Sequence, residues 1–111
     1  MEKARSIAVI PAGEQWEDGS LRPCVEDLLG AGAMISYLRG KLLPESNTAV
    51  SVFDSFAGDL SGCIKNSVSE REKVERGEDR DIELASALNV GDCVPILQNG
   101  AFVQARGDVT V

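Results

Sequence analysis

Residues 21–38 constrain the fold of this chain more than any other segment. Their apolar side chains repeat at helical spacing, which predicts a helix that begins near Leu21 with Ser20 as its N-cap. Residues 30–33 are all glycine or alanine, and each glycine lowers helix stability by roughly 1 kcal/mol relative to alanine. Small residues allow two backbones to approach closely. We therefore expect another element to pack directly against this part of the helix.

Short apolar runs on either side of this helix predict a strand and a second helix. Residues 5–10 have the composition of a short buried strand, which Pro11 ends. Gly40 ends the first helix, and Pro44 begins a second helical pattern that continues to residue 64 with Gly58 as its weak point.

Two shorter helices are predicted in the charged part of the chain. The spacing of Ser69 and Glu72 is that of a capping box, so we expect a short helix that ends near Gly77. Residues 79–88 predict a fourth helix, which Asn89 ends.

The clearest local signal is a β-hairpin near the end of the sequence. Asn99-Gly100 lies between the apolar runs 94–97 and 101–103, and this dipeptide favours a two-residue turn. Residues 107–111 have the composition of one more strand. Together these elements predict an α/β fold with a small sheet of three to four strands and about four helices. Because that sheet is too narrow to cover every apolar helix face, we expect self-association to complete it.

Composition excludes several classes of protein. Eighteen acidic residues against eleven basic ones give a net charge of -7, which argues against binding to a nucleic-acid backbone. No apolar run approaches the ~20 residues that cross a membrane, and the first residues lack a signal-peptide core. We therefore expect a soluble, cytoplasmic protein that binds neither nucleic acid nor membrane.

The chain has no histidine and three separated cysteines, which limits its chemistry. The usual general base and the commonest zinc ligand are absent, and no Cys-x-x-Cys pair is present. Catalysis would have to use carboxylates, Ser, Arg, Lys or Cys, with a hard metal ion as the natural partner. Buried, reduced cysteines are the ordinary interpretation, although Cys24 follows the predicted helix start, where a thiolate is stabilised.

The segment 13–27 carries the side chains with the most functional chemistry. It follows the predicted first strand and enters a helix N-terminus, a place where anions bind in α/β proteins. Arg22 and Ser20 can bind a phosphate, while Glu14, Glu17 and Asp18 can hold magnesium through oxygen ligands. This combination suits metal-assisted hydrolysis of a phosphate ester.

A structural interpretation of the same segment stays open. Asp18 and Ser20 would then cap the helix, and Trp16 would close the end of the sheet. Glu26 and Asp27 would lie on the solvated side of the helix.

Residues 12–33, AGEQWEDGSLRPCVEDLLGAGA, resemble the signature Gly-Glu-x-Trp-x-Asp-Gly-Ser-Leu-Arg-Pro-x-x-Glu-Asp-x-x-Gly-Ala-Gly-Ala of the 2-phosphosulfolactate phosphatases. A looser similarity continues through Ser69, Arg71 and Glu72, and through Gly100 and Phe102, so it covers almost the whole chain.

The resemblance implies a magnesium-dependent acid phosphatase that hydrolyses 2-phosphosulfolactate to sulfolactate. Glu14 and Asp18 would hold the metal, and Asp18 and Cys24 would be the catalytic candidates. The substrate phosphate would be bound by four side chains: Ser20, Arg22, Ser69 and Arg71. The charged run 70–81 has a second interpretation as a solvated helix and turn with i,i+4 ion pairs.

The chain also departs from the family pattern. The resemblance is to the C-terminal half of longer proteins, so residues 1–111 would form a single truncated domain without the Asp-x-x-Arg-Ala-Thr-like segment. Glu70 replaces a usual glycine and Glu78 a common aromatic residue, and both add negative charge near an anionic substrate.

Two classes of function are compatible with these departures. The first is a phosphatase that is completed by a second copy or by a separately encoded partner half. The second is a non-catalytic half-domain that self-associates or binds a small anion.

Overall fold

The computed structural model describes residues 6–105, which fall into two compact units. The helical unit comprises residues 8–87, and the hairpin unit holds residues 6–7 and 88–105 of the described chain. The elements in chain order are β1 (Glu14–Gln15), β2 (Leu21–Arg22), α1 (Val25–Ser36), α2 (Pro44–Phe56), a 3-10 turn (Ala57–Asp59), α3 (Leu60–Lys65), α4 (Val68–Glu75), α5 (Asp79–Ser86), β3 (Pro95–Gln98) and β4 (Ala101–Gln104). The α/β class is confirmed. The four strands of the described chain form two separate antiparallel pairs, β1–β2 and β3–β4, instead of one sheet.

The glycine-rich part of α1 packs directly against α2, as its sequence predicts. Gly32 is buried, and a Cβ atom built on it would collide with the carbonyl oxygen of Ala49 and lie 2.8 Å from the Cβ of Phe53. Ala31 and Ala33 are also buried on this helix. Glycine lowers the helix propensity of α1, but the absence of a side chain at Gly32 allows the two backbones to approach closely.

A small apolar core joins three of the helices. Leu29 of α1, Ile64 of α3 and Ile82 of α5 are each at most 3% exposed and contact one another in one cluster. The partly buried residues that pack around this cluster are Val25, Val52, Leu60, Cys63 and Val74. The predicted weak point at Gly58 is a break between helices, where Asp59 begins α3 by accepting a hydrogen bond from the amide of Gly62 at 3.0 Å.

The predicted start of α1 is wrong by four residues. The helix begins at Val25 after Cys24, and Ser20 lies in a turn instead of capping the helix. Pro23 supplies the physical reason, because a residue before proline avoids the helical region. Arg22 is accordingly extended, and it pairs with Glu14 in the β1–β2 ladder.

The predicted strand at residues 5–10 is also wrong for the part that the structure describes. Residues 6–10 have no regular secondary structure, and Ile10 is 84% exposed. An apolar run becomes a strand only when a neighbouring strand satisfies its backbone groups, and such pairing is not encoded locally. Arg5 lies outside the described residues.

α4 begins two residues earlier than its sequence predicts. Ser67 is the N-cap and accepts a hydrogen bond from the amide of Glu70 at 3.4 Å, whereas Ser69 is buried inside the helix. Ser67 and Glu70 have the same capping-box spacing as Ser69 and Glu72, so the pattern alone does not choose between them. The fourth predicted helix is confirmed as α5, which ends at Ser86.

The predicted hairpin is confirmed in the hairpin unit. β3 pairs with β4, and the turn residues Asn99 and Gly100 have φ values of 50° and 80°. A hydrogen bond of 2.8 Å from the amide of Ala105 to the carbonyl of Val94 extends the pairing beyond the strands. The predicted strand at 107–111 lies outside the described residues. Between residues 6 and 105, no helix is long and apolar enough to cross a membrane.

Candidate functional site

The β1–β2 hairpin brings an acid and an arginine face to face. Glu14 lies opposite Arg22 in the ladder, and the intervening turn closes through a 2.8 Å hydrogen bond from the amide of Trp16 to the carbonyl of Ser20. Gly19 has a φ of 87°, a conformation that glycine adopts at no steric cost. The hairpin therefore presents Glu14 and Arg22 from neighbouring strands.

The predicted ligands at the tip of this hairpin interact with each other. One carboxylate oxygen of Asp18 accepts hydrogen bonds from both the hydroxyl and the amide of Ser20, the latter at 2.9 Å. These bonds, the hydroxyl first, lower the pKa of Asp18. Both residues are exposed. They stabilise the turn of the hairpin, and the structural interpretation in which they cap the helix is wrong, because α1 begins only at Val25.

Arg22 is held between a carboxylate and an aromatic ring. Its two terminal nitrogens each donate to one oxygen of Glu72 in α4 at 3.3 Å, and its guanidinium carbon lies 4.6 Å from the centre of the Trp16 ring. The hydrogen bond with Glu72 is the main reason that the pKa of Arg22 is raised. The arginine is thus a fixed cation at the end of β2.

Three possible metal ligands converge beside this arginine. One carboxylate oxygen each from Glu14 and Glu26 and the sulfur of Cys24 lie within 4.8 Å of one another. A 3.0 Å hydrogen bond from the amide of Gly13 to the carboxylate of Asp27 ties β1 to the first turn of α1 and so sets their spacing. Glu26 Oε2 is buried and has no hydrogen-bond partner. A buried carboxylate oxygen without a donor is suited to a cation.

Cys24 is placed at the start of α1 as a neutral thiol. It is 6% exposed, and its sulfur donates to the carbonyl of Arg22 at 3.5 Å. Burial, followed by the charges of Glu26, Glu14 and Asp27, raises the pKa of the thiol. The expectation that the helix start stabilises a thiolate here is therefore wrong, because desolvation and acidic neighbours outweigh the helix end.

α4 contributes a lysine that the sequence reasoning missed. Lys73 Nζ donates to Glu70 Oε1 at 2.9 Å, and Glu70 is only 3% exposed. This hydrogen bond, with smaller contributions from Glu14 and Glu26, raises the pKa of Lys73 and keeps it protonated. The i,i+3 spacing of Glu70 and Lys73 was a signal that could have identified the pair.

The other predicted residues of this helix lie differently. Ser69 is buried in α4, and Arg71 is exposed on it. Glu72 and Lys73, by contrast, interact with residues of the hairpin and of the ligand cluster. Glu70, which stands where the resemblance implies a glycine, is paired with Lys73.

The arrangement combines oxygen ligands for a hard cation with two fixed positive charges. Glu14 and Glu26 offer carboxylate oxygens, which hard divalent cations accept as ligands, whereas the thiol of Cys24 is a soft ligand. Arg22 and Lys73 lie near these carboxylates, but each is ion-paired, Arg22 with Glu72 and Lys73 with Glu70, so an anion would have to compete with those partners.

The chain matches a known protein family. A family model described as 2-phosphosulpholactate phosphatase matches residues 1–100. Searches of curated proteins and of solved structures found no significant similarity.

Proposed function

Because the chain belongs to the 2-phosphosulfolactate phosphatase family, we propose that it hydrolyses a small acidic phosphomonoester such as 2-phosphosulfolactate with the help of magnesium. The observation that supports this proposal most is the position of Arg22, whose guanidinium is fixed beside the Glu14–Cys24–Glu26 cluster. An anion clamp and a hard-cation site next to each other are what hydrolysis of a phosphate ester needs.

In this proposal the carboxylates of Glu14 and Glu26 hold the metal. The orphaned Oε2 of Glu26 supports its role, whereas the carboxylate of Asp18 is engaged by Ser20 at the hairpin tip. The chemistry that magnesium supplies at such a site is neutralisation of phosphoryl charge and activation of water. Cys24 positions the cluster at the helix start as a neutral thiol.

Arg22 binds the phosphoryl group in this proposal. Its two terminal nitrogens can donate in parallel to two phosphoryl oxygens, in the same way that they now donate to Glu72. The ring of Trp16 keeps the guanidinium in place, and Lys73 adds positive charge from α4. Asp18 and Ser20 bond to each other at the tip of the hairpin, and in this proposal they stabilise the turn that presents Arg22 and do not contact the acidic group of the substrate.

The experiment is phosphate release from 2-phosphosulfolactate by the purified full chain with magnesium. Arg22→Ala should lower kcat/KM by at least about a hundredfold, since it removes a charged hydrogen-bond pair from the transition state. Arg39→Ala is the matched control, because Arg39 is an exposed arginine outside the hairpin and α4. Arg71→Ala tests the role that the family resemblance implies for Arg71.

A folded, magnesium-loaded sample that releases no phosphate would overturn the proposal. Glu26→Gln and Asp18→Asn refine it. If Glu26 holds the metal, Glu26→Gln should weaken magnesium binding in calorimetry more than Asp18→Asn does.

A second candidate is a non-catalytic, self-associating half-domain. The exposed apolar side chains of the hairpin unit favour it, because Leu97 is 62% and Phe102 76% exposed. Light scattering at micromolar concentration tests it, and a strictly monomeric protein would count against it. Copurification of a second polypeptide would instead indicate a separately encoded partner half.

A further inference from the structure

The ion pair between Arg22 and Glu72 has the geometry of an arginine bound to an anion, with the carboxylate of Glu72 in the position of that anion. The two residues are 50 positions apart in sequence, and each terminal nitrogen of Arg22 donates to a different oxygen of Glu72. A phosphoryl group offers the same pair of oxygens to a guanidinium. Any anion that uses Arg22 in this way must first displace Glu72.

The two partners are not held equally. The side chain of Arg22 is 14% exposed and lies against the Trp16 ring, whereas the side chain of Glu72 is 53% exposed. Both hydrogen bonds are 3.3 Å long, compared with the roughly 2.7–2.9 Å of strong charge-assisted bonds. The carboxylate of Glu72 can therefore turn into solvent, while the largely buried Arg22 stays in place and needs another anion as its partner.

We propose that Glu72 is a specificity-determining residue, which occupies Arg22 in the free protein and yields to a doubly charged phosphoryl group but not to a monocarboxylate. This proposal rests on the proposed function, because it assigns the phosphoryl contact to Arg22.

The preference follows from competition between a tethered and a free anion. Glu72 is attached to the same chain, so its effective concentration at Arg22 is on the order of millimolar or higher. A free monocarboxylate offers Arg22 only the two oxygens and the single charge that Glu72 already supplies. A phosphoryl dianion offers a third oxygen and a second charge. Glu14, which lies opposite Arg22, further disfavours weakly bound anions at this position.

The chain carries its own reporter for this exchange. Trp16 is the single tryptophan of the sequence, and the centre of its ring lies 4.6 Å from the guanidinium carbon. A change in what Arg22 binds should therefore alter the intrinsic fluorescence of the protein. The probes are inorganic phosphate and acetate, each titrated at constant ionic strength so that general screening stays the same.

Phosphate should give a saturable change of fluorescence in the unaltered protein, whereas acetate over the same range should give none. Glu72→Gln removes the competing charge and should lower the midpoint for phosphate by about three- to tenfold, which corresponds to the ~1 kcal/mol of an exposed ion pair. The same variant should gain a response to acetate.

Matched variants separate this mechanism from a change of net charge or of folding. Glu75→Gln removes one exposed acid from the same helix and should shift the phosphate midpoint by less than twofold. Arg22→Ala should abolish the response in both the unaltered and the Glu72→Gln background. Thermal unfolding of each variant shows whether it remains folded.

The proposal is overturned if Glu72→Gln binds phosphate no better than the unaltered protein, since Glu72 would then only brace Arg22. It is equally overturned if acetate competes with phosphate in the unaltered protein, or if phosphate gives no response at all. If phosphate and acetate give the expected fluorescence responses but no phosphomonoester is hydrolysed, the proposed function is wrong and the proposed role of Glu72 is retained.

Discussion

Different interactions stabilise the α1–α2 contact and the β3–β4 hairpin. At Gly32, two helices meet so closely that a single methyl group has no room. In the hairpin, every residue of β4 is exposed, and the turn conformation of Asn99-Gly100 sets the pairing. The first region depends on burial and the second on local backbone geometry. Substitutions that resemble each other chemically should therefore act through different mechanisms in the two regions.

The largest effect is expected at Gly32. Gly32→Ala would press a methyl group against the backbone of Ala49, and this overpacking should lower the free energy of unfolding by about 3 kcal/mol. Denaturant unfolding followed by circular dichroism measures the change.

Gly30→Ala is the matched control for Gly32, because it adds the same methyl group to the same helix. A Cβ at Gly30 meets nothing within 4 Å, so the variant should be more stable by about 0.5–1 kcal/mol. Equal effects of the two variants would contradict the close α1–α2 contact.

A smaller effect is expected in the hairpin. Gly100 has a φ of 80°, so Gly100→Ala should disfavour the paired state by about 1–2 kcal/mol through backbone strain alone. Nuclear Overhauser contacts between Leu97 and Phe102, which pair in the ladder, should weaken, and exchange of the β3 and β4 amides should become faster.

Gly91→Ala is the control for the hairpin. Gly91 precedes the strands, has open space around it and does not have a positive φ. This variant should leave the Leu97–Phe102 contacts unchanged. Retained contacts in Gly100→Ala would show that something other than the turn holds the strands together.

The smallest effect concerns the reactivity of two cysteines. Cys63 packs against the apolar core, and burial, followed by the charge of Asp59, raises the pKa of its thiol. Cys93 is exposed in the segment before β3. At pH 8 a disulfide reagent should therefore modify Cys93 roughly tenfold faster than Cys63, because the thiolate is the reactive form.

Peptide mapping after short exposure to the reagent assigns each site. Denaturant should make the two rates similar, since the pKa shift of Cys63 depends on the fold. Equal rates in the native protein would mean that the region around Cys63 opens as readily as the segment around Cys93.

Local signals predicted those parts of the fold that depend on neighbouring residues. The Asn99-Gly100 turn and the start of α2 at Pro44 were evident from residue type and spacing. The small residues around Gly32 indicated a close contact, but they did not indicate that α2 makes it. The start of α1 was not, because Ser20 resembles a cap while Pro23 keeps the preceding residue extended. The strand expected at residues 5–10 failed because its pairing depends on distant segments.

In the candidate site, the residues of one continuous motif were predictable, whereas those brought in by tertiary packing were not. Glu14 and Arg22 were recognisable because they belong to one continuous motif. Glu26 was assigned to the solvated side of the helix under the structural interpretation, yet one of its oxygens is buried. Glu72 and Lys73 reach the site only because α4 packs beside the hairpin, which sequence spacing does not reveal.

The hydrogen bond from the amide of Gly13 to Asp27 makes the geometry of the candidate site depend on the first turn of α1. Glu14 stands next to one end of this bond, while Cys24 and Glu26 belong to the opening turn at its other end. Fraying of that turn would move Cys24 and Glu26 away from Glu14, which the β1–β2 pairing holds in place. The proposed cation binding should therefore be lost early on heating, and a bound ion would protect the α1 start from exchange.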